Sequence, residues 1–128
     1  MPKTTQLAIS LESKPGALAK LCRTLADAGV NITALCAPET TGQGKIRLLV
    51  SDLPRAKEAL KAGKYRVGEE QAVTVLVDNR PGTLAGIAEK LAQARINIKC
   101  AYVTGEGGNQ LVVLSVANAD KAQRVLGG

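Results

Sequence analysis

The residues with the clearest potential for chemistry form one short turn, Asp78-Asn79-Arg80-Pro81-Gly82-Thr83-Leu84. Upstream, every second residue from Val73 to Val77 is valine, which favours a strand, and downstream the apolar residues recur at helical spacing. A proline fits the first turn of a helix, and a glycine lets a ligand approach the backbone closely. Because the first amides of a helix lack intrahelical partners, such a turn can bind a carboxylate or a phosphate. The alternative is a plain connection between a strand and a helix.

The turn occurs a second time, which strengthens the binding interpretation. The other copy, Glu12-Ser13-Lys14-Pro15-Gly16-Ala17-Leu18, lies 66 residues earlier, and at this offset residues 7–62 align with residues 73–128 without a gap. The chain is therefore an internal duplication, and we expect two units, residues 1–68 and residues 69–128. Identical pairs include Pro15 and Pro81, Gly16 and Gly82, Leu18 and Leu84, Ala28 and Ala94, Asn31 and Asn97, and Ile32 and Ile98.

The residue inventory argues against catalysis. The 128 residues include no histidine, so the usual general base and the commonest metal ligand are missing. The three cysteines, Cys22, Cys36 and Cys100, are widely spaced and have no metal-ligand spacing. The acids are scattered, and no nucleophile is followed or preceded by a base that could activate it. We predict a protein that is not an enzyme and needs neither a metal nor a cofactor.

The net charge of +6 is carried by the first half of the chain. Residues 1–66 contain eleven Lys or Arg and five Asp or Glu, whereas residues 67–128 contain six of each. A basic half can bind nucleic acid, but Tyr65 and Tyr102 are the only aromatic residues, so a base-stacking surface is not expected. A solvated basic face or an acidic protein partner fits better. Without an apolar run of membrane-spanning length or a secretion signal pattern, we expect a cytoplasmic protein that does not enter a membrane.

Each unit follows the order strand, helix, strand, strand, helix. The second unit stops at Leu126-Gly127-Gly128 with no fourth strand, so its edge is short, or another segment or chain pairs there. We predict an α+β fold with two ferredoxin-like βαββαβ units packed side by side, the second lacking an evident last strand. In the first unit we expect strands over Thr5–Glu12, Asn31–Ala37, Lys45–Ser51 and Tyr65–Val67, and a polar turn over Pro38–Gly44. The first helix is expected over Gly16–Ala28 and is ended by Gly29, and the second starts near Pro54, is capped by Ser51 or Asp52 and is closed by Gly63. Gly68-Glu69-Glu70 is expected to be the connection to the first strand of the second unit.

Asn79-Arg80-Pro81-Gly82, followed by Leu84, an amphipathic helix and Ile96-Asn97-Ile98, resembles an ACT domain, a small-molecule-sensing module of amino-acid metabolism. The first copy, from Lys14-Pro15-Gly16 to Asn31-Ile32, is similar to the same pattern. Together the copies cover almost the whole chain, which resembles the free-standing tandem ACT proteins that bind amino acids. This resemblance implies a regulatory module with no catalytic domain in the same chain, and an enzyme partner regulated in trans.

The resemblance also implies a ligand site. In the serine-sensing ACT domain of phosphoglycerate dehydrogenase, an Asn of the turn and an Asn before the second strand hold the effector across a domain interface. The residues of this chain that match these two asparagines are Asn79 and Asn97. That family has a histidine where this chain has Val77, and Ser13 replaces the turn Asn in the first unit. An amide offers donors and an acceptor to an amino acid. Alternatively, Asn31 and Asn97 only occupy a left-handed or bridging backbone position. The candidate ligand-binding residues are Asn79, Arg80, Gly82, Thr83, Leu84, Asn97 and Ile98, with Ser13, Lys14, Gly16 and Asn31 in the first unit.

We therefore predict a non-catalytic regulatory module, a homodimer, that binds an amino acid at the interface between ACT units. The ligand carboxylate is expected on backbone amides near Gly82 and Thr83, and its side chain against Val77 and Leu84. Two alternatives stay open. One is a protein-interaction scaffold without a ligand, and the other, less favoured, is nucleic-acid binding through the basic first unit.

Overall fold

The computed structural model describes residues 3–38 and 43–127, with the backbone alone for Gln43. Its elements alternate between strands and helices in the order expected for two βαββαβ-like repeats, so the predicted α+β class is confirmed. Most of the predicted polar turn after Pro38, residues 39–42, lies outside the described residues. The elements are β1 (Lys3–Glu12), α1 (Ala17–Asp27), β2 (Ile32–Cys36), β3 (Gln43–Val50), α2 (Leu53–Ala62), β4 (Val67–Asp78), α3 (Thr83–Gln93), β5 (Ile98–Glu106), β6 (Asn109–Val116) and α4 (Ala119–Val125).

Two compact units make up the described chain. The N unit comprises residues 6–69, and the C unit comprises residues 3–5 together with residues 70–127. Two strands therefore contribute to both units, because the first residues of β1 belong to the C unit and the first residues of β4 belong to the N unit. Lys3, at the start of β1, extends its Nζ to within 2.8 Å of Asp120 Oδ1 on α4. Of the two possibilities left open for the incomplete second unit, the structure shows another segment of the same chain joining it.

The N unit packs α1 and α2 against one face of its antiparallel strands, in which β3 lies between β2 and β1. Alternation places Leu7 opposite Leu48 and Ile9 opposite Ile46, all on the helix-facing side. Each helix contributes two buried residues four positions apart, Leu21 and Leu25 in α1 and Ala56 and Leu60 in α2, which bury one stripe of each helix. The buried core comprises Leu7, Ile9, Leu21, Leu25, Val30, Ile46, Leu48, Ala56 and Leu60.

The C unit repeats this packing with β6 between β4 and β5. Val75 lies opposite Val112, and the helix-facing residues again alternate with outward-facing ones. Many core positions are the N-unit positions plus 66, such as Leu25 and Leu91 or Leu60 and Leu126, so the sequence duplication is also a duplication of packing. The buried core comprises Val73, Val75, Ile87, Leu91, Ile96, Val112, Leu114, Val116, Ala119, Ala122 and Leu126.

The helix boundaries follow local chemistry. Asp52 caps α2, because its Oδ1 accepts a hydrogen bond from the Arg55 amide at 3.1 Å, and the equivalent Asn118 caps α4 through the Lys121 amide at 3.0 Å. Ser51, the other predicted cap, instead accepts a hydrogen bond from the Asn31 amide through its Oγ. Neither Pro-Gly turn is helical at its glycine, so α1 begins one residue later than predicted.

Strand β4 differs from the prediction of a short strand over Tyr65–Val67 followed by a connection. It runs without interruption from Val67 to Asp78, because its exposed start tolerates the glycine and the acids that suggested a linker. A Cβ on Gly68 would lie 3.7 Å from the Ala8 carbonyl oxygen, so the backbone of β4 passes close to β1 there. Glu69 makes an ion pair with Lys57 at 3.2 Å.

Candidate functional site

The two Pro-Gly turns have nearly the same backbone geometry. Gly16 has φ 88° and ψ −15°, Gly82 has φ 91° and ψ −15°, and each precedes the first residue of a helix. An L-residue rarely adopts this positive φ, so the turn requires glycine. Within the described residues, no side chain caps either α1 or α3. Each unit therefore presents a helix N-terminus without a side-chain cap, a feature that attracts anions.

Some of the backbone amides at these turns already have partners. The Thr83 amide donates to the Arg80 carbonyl oxygen at 3.3 Å, and the Ala17 amide donates to the Lys14 carbonyl oxygen at the same distance. Both distances are longer than is usual for N–H···O hydrogen bonds, so the bonds are weak. A carboxylate at Thr83, as predicted, would share this amide with the turn itself.

Asn79 binds the β5–β6 hairpin with both ends of its amide. Its Nδ2 donates to the Gly107 carbonyl oxygen at 3.2 Å, and its Oδ1 accepts from Gln110 Nε2 at 3.3 Å. The Asn79 backbone amide donates to the Gly108 carbonyl oxygen at 2.9 Å. The side chain also lies against Gly105, where a Cβ would approach Asn79 Nδ2 to 3.0 Å. The turn asparagine thus has a structural role that the local sequence did not reveal.

Asn97 lies far from Asn79 of the same unit. Helix α3 separates them, and its 11 residues span about 16 Å. The strand register agrees, because Asp78 pairs with Asn109 at one end of β6 and Ile98 pairs with Val116 at the other. A single amino acid cannot contact both amides within this unit. The exposed Asn97 and the half-buried Ile98 therefore belong to the opposite end of the C unit from the turn.

The equivalent residues of the N unit are also accounted for. Asn31 is exposed, and its backbone exchanges two 2.9 Å hydrogen bonds with Ser51. Among the described non-glycine residues, positive φ occurs at Lys64 and Arg95, so the left-handed backbone lies two residues before Asn97 rather than at it. Arg95 (φ 57°) occupies the position equivalent to Gly29 (φ 76°), the glycine predicted to end α1.

The charged residues of the turns are exposed and pair locally. Lys14 Nζ lies 3.0 Å from Glu12 Oε2, and in the C unit Arg80 Nη2 lies 3.8 Å from Asp78 Oδ2. Exposed pairs of this kind contribute little to stability, so these cations stay accessible. Ser13, beside Lys14, is also exposed. Leu18 and Leu84, each 38% exposed, add equivalent apolar contacts next to the two turns.

A groove lies beside each turn. The N groove of about 640 Å³ and the C groove of about 540 Å³ are both large enough for a small molecule. The local sequence predicted the turns but missed the residues that a distant loop adds to the N groove. The N groove is lined by Ser10, Leu11, Glu12, Lys14, Pro15, Gly16, Ala17, Lys20, Gly63, Lys64, Tyr65 and Arg66, and the C groove by Val77, Arg80, Pro81, Gly82, Thr83, Gly86, Ile87, Lys90 and Leu126.

No group of three or more Cys, Asp or Glu side chains in the described residues could hold a metal ion. None of the helices in the described ranges combines the length and the apolar character needed to cross a membrane.

Comparison with known proteins gives the family. A family model described as an ACT domain pair matches residues 3–127. The crystal structure of protein BT0572 from Bacteroides thetaiotaomicron is similar, with 33% identity, a TM-score of 0.90, and coverage of 97% of this chain and 86% of that one. No curated protein matches the chain in sequence.

The fold is shared with aspartate kinase structures of much lower identity. The regulatory subunit of aspartate kinase from Thermus thermophilus is 18% identical with a TM-score of 0.68, and the match covers 98% of this chain and 93% of the subunit. Aspartate kinase from Clostridium acetobutylicum is 17% identical with a TM-score of 0.63, and the match covers 97% of this chain and 32% of the enzyme. The match over residues 3–127 confirms the resemblance seen in the sequence, and the chain belongs to the ACT domain pair family.

Proposed function

We propose that this chain is a non-catalytic regulatory module that binds an amino acid beside the Pro-Gly turn of the C unit. The observation that carries the proposal is the uncapped helix N-terminus behind Gly82, with the C groove next to it. The ligand carboxylate binds the first amides of α3, where the helix dipole is positive. A modest ligand side chain packs against Val77 and Leu84, with Arg80 and Thr83 at the rim.

The Asn79 and Asn97 amides lie at opposite ends of the C unit, so a ligand that contacts both takes them from the C units of two chains. Ile98, the residue after Asn97, enters the ligand site together with it. The N unit, where Ser13 replaces the turn asparagine, binds the amino acid more weakly or contributes only Asn31 and Lys14.

Thermal-shift screening of the twenty amino acids tests the proposal first, because a ligand that binds only the folded state raises the melting temperature. Calorimetric titration of the best ligand then compares wild type with Asn79→Ala and Gln110→Ala. Both variants remove the hydrogen bond between Asn79 and Gln110, but only Asn79→Ala removes the turn amide. We expect Asn79→Ala to lose about 1–3 kcal/mol of binding free energy and Gln110→Ala to keep wild-type affinity. Equal losses in the two variants would assign the effect to the hairpin.

One observation favours a second function, a scaffold that interacts with proteins and binds no ligand. Both ends of the Asn79 amide already bind the hairpin, so its role in a ligand site requires these bonds to be exchanged. If no amino acid at millimolar concentration raises the melting temperature, the scaffold function is supported instead.

The proposed regulation acts in trans, in the cytoplasm, on an enzyme partner. Two proteins that share the fold are described as the regulatory subunit of aspartate kinase and as an aspartate kinase, so the same fold occurs both in a separate subunit and within an enzyme chain. We expect a homodimer at micromolar concentration, which light scattering measures directly. A monomer would count against the dimer and leave ligand binding to be decided by the titration.

A further inference from the structure

The two grooves occupy equivalent positions on the duplicated fold but differ in charge. Four cationic residues line the N groove, together with a single acid, Glu12. The C groove is lined by two cations, Arg80 and Lys90, and by no acid. Both grooves are therefore basic, and the N groove is distinguished by having twice as many cations. The four cations of the N groove are Lys14, Lys20, Lys64 and Arg66.

Three separate segments bring these cations together. Lys14 belongs to the β1–α1 turn, and Lys20 lies one helical turn further on, where its amide donates to the Gly16 carbonyl oxygen at 3.0 Å. Lys64 and Arg66 belong to the connection between α2 and β4. A hydrogen bond of 3.2 Å from the Ser10 amide to the Arg66 carbonyl oxygen holds this connection beside the end of β1. The basic residues that were dispersed in the sequence thus converge on one concave surface.

The positive charge of the N groove is mostly uncompensated. Glu12 neutralises Lys14 at 3.0 Å. Within residues 3–38 and 43–127, the side chains of Lys20, Lys64 and Arg66 have no carboxylate within ion-pair distance. Cations that share one groove repel each other. A bound anion with several charges would remove this repulsion, and the uncapped N-terminus of α1 adds further attraction for it.

We propose that the N groove binds a small polyanion, a metabolite that carries a phosphate, a diphosphate or several carboxylates. The groove volume of about 640 Å³ suits such a molecule. The N groove contains Lys14 and Gly16, which are also candidates for amino-acid binding by the N unit, but it contains none of the C-unit residues of the amino-acid site. Loss of amino-acid binding at the C groove would therefore leave this proposal standing, and failure of this proposal would leave the C-unit site standing.

Pyrophosphate, citrate and inorganic phosphate are the probes, titrated calorimetrically against the full chain. We expect one pyrophosphate or citrate per chain, an affinity that falls as sodium chloride is raised, and weaker binding of inorganic phosphate. Lys20→Gln and Arg66→Gln should each weaken pyrophosphate binding about tenfold. Lys45→Gln is the matched control, because Lys45 is exposed, carries the same charge and does not line the N groove.

Lys64→Gly separates loss of binding from loss of folding. Lys64 has φ 64°, so glycine relieves backbone strain there while removing a cation from the groove. We expect a melting temperature equal to or above that of wild type together with about tenfold weaker pyrophosphate binding.

Three results would overturn the proposal. The first is that no probe binds at millimolar concentration. The second is that Lys45→Gln weakens binding as much as Lys20→Gln, which would assign the effect to net charge. The third is that single-stranded oligonucleotides bind more tightly with increasing length and displace pyrophosphate, which would make the groove part of a nucleic-acid surface.

Discussion

Two glycines of the C unit, Gly82 and Gly86, should respond in opposite directions when each is replaced by alanine: one variant should be less stable than wild type and the other more stable. Gly82 and Gly86 are four residues apart, and a Cβ built on either one meets no atom within 4 Å. Packing therefore cannot distinguish them, and only backbone conformation can. Gly82 has φ 91°, whereas Gly86 lies inside α3.

The magnitudes follow from these two conformations. Left-handed backbone costs an L-residue roughly 1–2 kcal/mol, partly offset by the smaller entropy of the unfolded alanine chain. Gly82→Ala should therefore destabilise the protein by about 1 kcal/mol. Gly86→Ala should stabilise it by about 1 kcal/mol, the difference in helix propensity. The two variants should differ by about 2 kcal/mol, which corresponds to roughly 8 °C in melting temperature for a chain of this size.

Calorimetric melting and urea unfolding measure both variants against wild type. Gly16→Ala is an independent replicate, because its backbone matches that of Gly82 in the other unit. If Gly82→Ala is as stable as wild type, or if both alanines shift the melting temperature in the same direction, the assignment of the turn geometry is refuted.

Three further predictions concern individual contacts. Asp52→Ala removes the side-chain cap that accepts a hydrogen bond from the Arg55 amide, and should lower the free energy of unfolding, measured in urea, by about 1 kcal/mol. Tyr65→Phe should stabilise the protein by about 1 kcal/mol, because the Tyr65 hydroxyl is buried without a hydrogen-bond partner in the described residues; a loss of stability would mean that the hydroxyl is bonded. The ion pair with Lys3, through its hydrogen bond and its charge, lowers the pKa of Asp120 from 3.8. The stabilisation of the folded protein by this ion pair is thus present above pH 3.8 and is lost as the pH falls through the lower folded-state pKa of Asp120. The melting temperatures of wild type and Asp120→Asn should therefore converge in acid.

The parts of the fold that the sequence predicted depend on local patterns. The 66-residue offset required equivalent elements in both halves, and the alternation around Val75 and the helical spacing around Leu91 identified which faces are buried. The cap at Asp52 and the glycine turn at Gly82 follow from backbone chemistry within a few residues. Features that depend on local chemistry of this kind can be predicted without knowledge of the tertiary structure.

The features that the sequence did not predict depend on pairing between distant segments. Asn79 could be recognised as a polar turn residue, but its bonds to Gly107 and Gln110 require the register of the β5–β6 hairpin. The basic N groove requires the α2–β4 connection, with Arg66, to lie beside Lys20. The prediction of a connection around Gly68 was wrong, because composition cannot distinguish an exposed strand from a polar loop.

The division of strands β1 and β4 has a consequence for the boundary between the repeats. These strands occupy equivalent positions of the repeat, and each gives its first residues to the other unit: Lys3–Thr5 group with the C unit, and the start of β4 groups with the N unit. The boundary between the repeats in the sequence therefore does not coincide with the boundary between the units in the fold, and a chain cut between residues 66 and 67 would separate a few residues from each unit. A tandem arrangement of the two copies in one chain keeps both units intact.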